Sequence, residues 1–351
     1  MKSSKALTLL SALAFASAAS AVTTDAVGFV SVTVPANSDA ILAVPLNRAA
    51  EFKGVIQTIS GSTITVAGTP AWTASQFVQS LPGQPKTYAV QIASGAKEGL
   101  IGRVTANGVN TLTITLDSGE DLTGIGSVDV PVDPDGAGPL AAQSDQLDIM
   151  PYWTPASLFT GAQDGTELYY YLSSTGISST GTFVAPSALF VYDAGSGGWL
   201  DQITESSANH IPLNYATAIS VRNNSASSYN LSFVGSVPMS KHRVLLPTYA
   251  GGVAQDVRIG FSSPVPELLS SVGLPALEGD QLFVYDNTAT GKFKAPSQIL
   301  VYDGSTWLDS VSESPVPTFQ LVPGAGYLFR KAATASPSNS LWTKLQSYLA
   351  P

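Results

Sequence analysis

The chain has 351 residues, a formal net charge of −9, no cysteine, and only 12% charged residues against 31 glycines and 23 prolines. Acidity with no basic run excludes a nucleic-acid or anionic-membrane partner, and the absence of cysteine excludes disulfides, iron–sulfur clusters and thiolate zinc. Abundant Gly and Pro beside Ser, Thr and Val predict short strands and many turns rather than helices.

The N-terminus reads as a secretory signal. Lys2 and Lys5 form a positive region, Ala6–Ala16 an apolar run, and Ala19–Ala21 a small-x-small cleavage site. The run is shorter than the ~20 residues a membrane helix needs. Residues 1–21 are therefore expected to be removed, leaving a chain from Val22 with 14 basic and 25 acidic residues. That chain carries no further apolar span, and its expected destination is the periplasm, cell surface or medium.

Period-two alternation rich in β-branched residues follows at Gly28–Val34, Ser62–Val66, Thr87–Ile92 and Asn110–Leu116. It recurs in "ELYYYL", "ALFVYD", "QLFVYD" and "ILVYD". Helical spacing is expected at Ser338–Leu349, where Leu341, Leu345 and Leu349 repeat every fourth residue, with shorter helices over Thr73–Leu81 and Pro264–Leu274. The fold class is all-β.

One phrase is written twice. "PSALFVYDAGSGGWLD" (Pro186–Asp201) returns as "PSQILVYDGSTWLD" (Pro296–Asp309), and Trp199, Asp201, Glu205, Leu213 and Arg222 fall on Trp307, Asp309, Glu313, Leu321 and Arg330 at a constant offset of 108. Upstream, "TGTFVAPS" (Thr180–Ser187) matches "TGKFKAPS" (Thr290–Ser297), so 167–223 and 281–331 are two copies of one unit. A weaker echo aligns Gly28–Pro45 with Ser232–Pro247. The expected organisation is two related β-sandwich or barrel-like halves, 22–53 plus 140–227 and 228–334. A small β-barrel over 54–139 is inserted in a loop of the first, and a tail with a short helix occupies 335–351.

A signal peptide, "TTDAVGFVSVTVP", the inserted "YAVQIASGAKEGLIGRVTANGVNTLTI" and the paired "VYD…WLD" hairpins together resemble a family of exported bacterial all-β proteins of unknown function. The resemblance covers nearly the whole mature chain. It implies secretion and an all-β build, and supplies no activity or catalytic residue.

Asp193, Asp201 and Glu205, with counterparts Asp303, Asp309 and Glu313, are carboxylates beside Tyr192, Trp199, Tyr302 and Trp307. Paired carboxylates next to aromatic rings suit glycoside hydrolysis or sugar stacking. The competing reading makes each Asp a turn residue and each Trp an inward-facing strand residue, and it is preferred because an enzyme needs one asymmetric constellation. Arg222 and Arg330 close the two copies and are expected to pair with Glu205 or Glu313, or to anchor a substrate carboxylate. Asp129, Asp133 and Asp135 share a Gly-containing acidic loop suited to calcium, against the alternative of a solvated loop. His210 and His242 lie apart with no His or Cys neighbour, and no nucleophile elbow or phosphate loop is present.

The function expected is a non-catalytic structural or interaction protein of the bacterial envelope or exterior, needing no cofactor, with envelope proteins, itself or polysaccharide as partners. A carbohydrate-binding module and a glycoside hydrolase are the alternatives.

Overall fold

The structure, a computed structural model, describes residues 25–78, 86–117, 119–132, 143–171, 181–246, 252–333 and 339–350. The segment expected to be a signal peptide lies outside them. The molecule is all-β, and its strands form two matching five-stranded sheets, a closed six-stranded barrel and three two-stranded ribbons.

The chain opens with β1 (Val27–Val34) and β2 (Ser38–Leu42), then enters the barrel. The barrel strands are β3 (Phe52–Ser60), β4 (Thr63–Val66), β5 (Tyr88–Ile92), β6 (Ile101–Asn107), β7 (Thr111–Thr115) and β8 (Gln146–Pro151). They close in the order β3-β4-β7-β6-β5-β8. Strand β8, placed after the insert by the sequence reading, completes the barrel by pairing with both β3 and β5. Inside, Ile56, Ile64, Leu112 and Ile149 are buried around the edge-on aromatic run Phe52–Trp72–Phe77–Tyr88.

A four-residue helix, α1 (Pro155–Leu158), follows the barrel; Thr154 caps it through a capping box with Ser157. Next come β9 (Glu167–Tyr170), β10 (Ala188–Asp193), β11 (Gly198–Asp201) and β12 (Ile219–Asn223). With β2 they form a sheet in the order β11-β10-β9-β12-β2.

The second half runs through β13 (Tyr229–Ser236), β14 (His242–Leu246), β15 (Gln255–Gly260), β16 (Glu267–Leu268), β17 (Gln281–Val284), β18 (Gln298–Tyr302), β19 (Trp307–Asp309), β20 (Gln320–Leu321), β21 (Gly326–Lys331) and β22 (Ser340–Lys344). Its sheet has the order β19-β18-β17-β21-β15, strand for strand the order of the first. The structural partner of β2 is therefore β15. The weaker echo had aligned β2 with β14, which instead pairs with β22. Strands β1 and β13 pair with each other in an antiparallel ribbon that ties half to half, Ser31 opposite Ser232.

The expected helices give way to extended chain. Over 338–349 the described residues form β22 and a single 3-10 turn, Ser347–Leu349. Trp342 decides this: it is fully buried among Phe261, Val272 and His242, and its Nε1–H donates to the Val272 carbonyl at 2.7 Å. Burying that indole outweighs the four-residue leucine spacing, and Leu341 is left part-exposed. Residues 264–274 make the short β16 and turns, and 73–78 make turns.

Candidate functional site

Each repeated hairpin uses its carboxylates to close its own turns. At the first turn, Gly195 and Ser196 N–H donate to Asp193 at 2.9 and 3.2 Å; Ser305 and Thr306 N–H donate to Asp303 at 2.8 and 2.7 Å. At the second, Ile203 and Thr204 N–H donate to Asp201, and Val311 and Ser312 N–H donate to Asp309. These amides stabilise the ionised form and lower all four pKa values, Asp309 to about 2 under the leading influence of the Ser312 N–H. Such groups are poor general acids. Glu205 and Glu313 sit at φ 54° in the same turns, each donating its N–H to the Asp201 or Asp309 carbonyl.

Trp199 and Trp307 are buried, at 1% and 6% exposure, and pack on Tyr192 and Tyr302 with ring centroids 5.6 and 5.3 Å apart. Their indole faces are spent on the core, so the four aromatics form no exposed stacking platform.

The repeated arginines do something the sequence reading missed. Arg222 binds Asp39 through two hydrogen bonds, 2.7 and 3.0 Å, with Glu167 at 3.7 Å; Arg330 binds Asp256 through two, 2.6 and 3.0 Å. Asp39 and Asp256, not Glu205 or Glu313, are the partners. The Asp39 hydrogen bond raises the pKa of Arg222 further. Above each guanidinium lies a phenylalanine from the opposite half: Phe293 over Arg222 at 4.1 Å, Phe183 over Arg330 at 4.6 Å. Phe293 N–H donates to Asp39 at 2.7 Å and Phe183 N–H to Asp256 at 2.6 Å; Asp39 N–H reaches the Gly291 carbonyl and Asp256 N–H the Gly181 carbonyl. Both phenylalanines hold a left-handed backbone, φ 55° and 54°. The "TGxF" loop of each half thus clasps the edge strand of the other.

No family model, curated protein or solved structure matches the chain.

A cleft of about 430 Å³ opens where the barrel meets both halves. Arg103 of β6, Tyr170 of β9, Arg243 of β14, Tyr152 and Asn214 line it. Arg243 is held by Glu120 through two hydrogen bonds, 3.2 and 2.9 Å, which brace β14 against the barrel. Tyr170 Oη accepts the Asn214 N–H, and Tyr215 Oη donates to the Pro151 carbonyl. Among the described residues, Arg103 forms no ion pair and the Tyr152 hydroxyl no hydrogen bond. Burial pushes the Tyr152 pKa well above the usual phenol range, so it stays a proton donor.

Among the described residues no three His, Asp or Glu side chains converge. Asp129 accepts from the Gln57 amide, while Asp133 and Asp135 lie outside the described residues. Asp121, in the neighbouring acidic stretch, pairs with Lys97 at 2.9 Å. His242 is buried between Phe261 and Trp342 with Nε2 unpartnered, and burial lowers its pKa to about 3. The described residues hold no helix long and apolar enough to cross a membrane.

Proposed function

We propose that the chain is an exported, non-catalytic structural or interaction protein of the bacterial envelope or exterior. One observation carries this reading: the polar residues written twice are used within the fold. The hairpin aspartates close turns, each arginine holds an aspartate of its own half beneath a phenylalanine of the other, and the tryptophans fill the two cores. A hydrolase would leave at least one carboxylate pair free of such duties. The leader-like N-terminus, the low count of charged residues and the net negative charge support export as a soluble or surface-associated scaffold.

Fractionation of cells producing the full chain tests the role. The expected result is a species starting near Val22 in the periplasm, at the surface or in the medium; full-length protein confined to the cytoplasm would contradict it. Asp193→Asn and Asp303→Asn, assayed separately for glycan release, are expected to change nothing but stability.

A further inference from the structure

We infer that the cleft between the barrel and the two halves binds a sugar acid of the uronic type, its carboxylate on Arg103 and its hydroxyls on Tyr152 and Asn214. Arg243 and Glu120 neutralise each other, so among the described residues Arg103 is the cleft cation without an ion-pair partner. A guanidinium fork takes a carboxylate in two parallel hydrogen bonds, the strong charge-assisted arrangement.

Hydroxyl recognition needs groups that donate and accept in a water-poor place. The Tyr152 hydroxyl does both and has no protein partner among the described residues, and the Asn214 side-chain amide is equally uncommitted. Asp117 also lines the cleft, and its negative charge disfavours a doubly charged phosphate more than a single carboxylate. Ile101, Leu245 and the edges of the tyrosine rings supply an apolar wall for the C–H faces of a sugar. The volume, about 430 Å³, falls within the ~300–1,000 Å³ of small-molecule sites and suits a mono- or disaccharide. This inference does not depend on export or on the scaffold role, and titration tests it separately from fractionation.

The test is calorimetric titration of the full chain at near-physiological salt with digalacturonate, neutral digalactose and acetate, with amide shifts followed by NMR. Digalacturonate is expected to bind and to shift amides around Arg103 and Tyr152, with digalactose at least about tenfold weaker. Arg103→Gln should weaken digalacturonate by about 10- to 100-fold, the worth of a hydrogen bond to a charged group, and Tyr152→Phe by several-fold. Arg103 is exposed, so its replacement leaves the core intact, and Arg103→Lys serves as a second variant that keeps the charge but loses the fork. No binding at about 10 mM ligand, equal binding of digalactose, binding undiminished in Arg103→Gln, or acetate matching digalacturonate would each overturn the proposal.

Discussion

Arg222 and Arg330 occupy one position in two copies, yet their surroundings are not equal. Asp256 is only 3% exposed at its side chain, Asp39 19%. Removing a guanidinium strands its carboxylate, and the cost grows with burial. Arg330→Met is therefore expected to lower stability by about 3 kcal/mol and Arg222→Met by about 2, measured by denaturant unfolding. His242 makes a pH prediction. Its folded pKa, about 3, lies below the unfolded 6.5. The unfolded chain takes up a proton that the folded chain refuses, so stability is full above pH 6.5 and declines as pH falls towards 3. The loss from this residue is on the order of 3 kcal/mol by about pH 4, and His242→Leu should flatten that stretch. The half-buried Asp148 and the buried Asp280, whose pKa values are raised, act in the opposite sense. The alignment of the arginines was legible from the offset of 108 alone. Their partners were not, because Asp39 lies 183 residues from Arg222 and Glu205 lies close by in sequence.

Among elements, the halves approach closely where small residues face each other. A Cβ on Gly260 would lie 2.1 Å from the Ala43 Cβ, and one on Gly326 would lie 2.6 Å from the Ala218 Cβ. Positions 43 and 260 are equivalent strand ends, as are 218 and 326, so these contacts lie about a pseudo-two-fold axis. Gly326→Ala should cost about 2 kcal/mol through overpacking, seen as a lowered thermal midpoint. The C-terminal strand teaches why some elements hid from sequence. Leucines at every fourth residue in 341–349 imitate a helix, while the determinant, Trp342 seated under β14 and against Phe261, is a tertiary contact. Trp342→Ala is expected to cost about 4 kcal/mol and to loosen β22 first. Strands β4 and β7 of the barrel, by contrast, were readable from local alternation, since each buries alternate residues in the closed interior.

For the whole molecule, two sheets of matching strand order set the architecture, and function must be sought where the two halves differ. The copied hairpins, loops and arginines take corresponding partners in both halves. The asymmetric additions are the barrel and the cleft it forms with β14, and no sequence motif marked Arg103 or Tyr152, which meet only when three parts of the chain close together. The twice-written loops fasten the halves reciprocally, Phe293 N–H donating to Asp39 and Phe183 N–H to Asp256. Amide hydrogen exchange in Asp39→Asn and Asp256→Asn tests it most directly. Asp39→Asn should speed exchange of the Phe293 N–H by about tenfold and leave Phe183 protected, while Asp256→Asn should do the reverse. Exchange changes confined to the half that carries the substitution would contradict the reciprocal clasp.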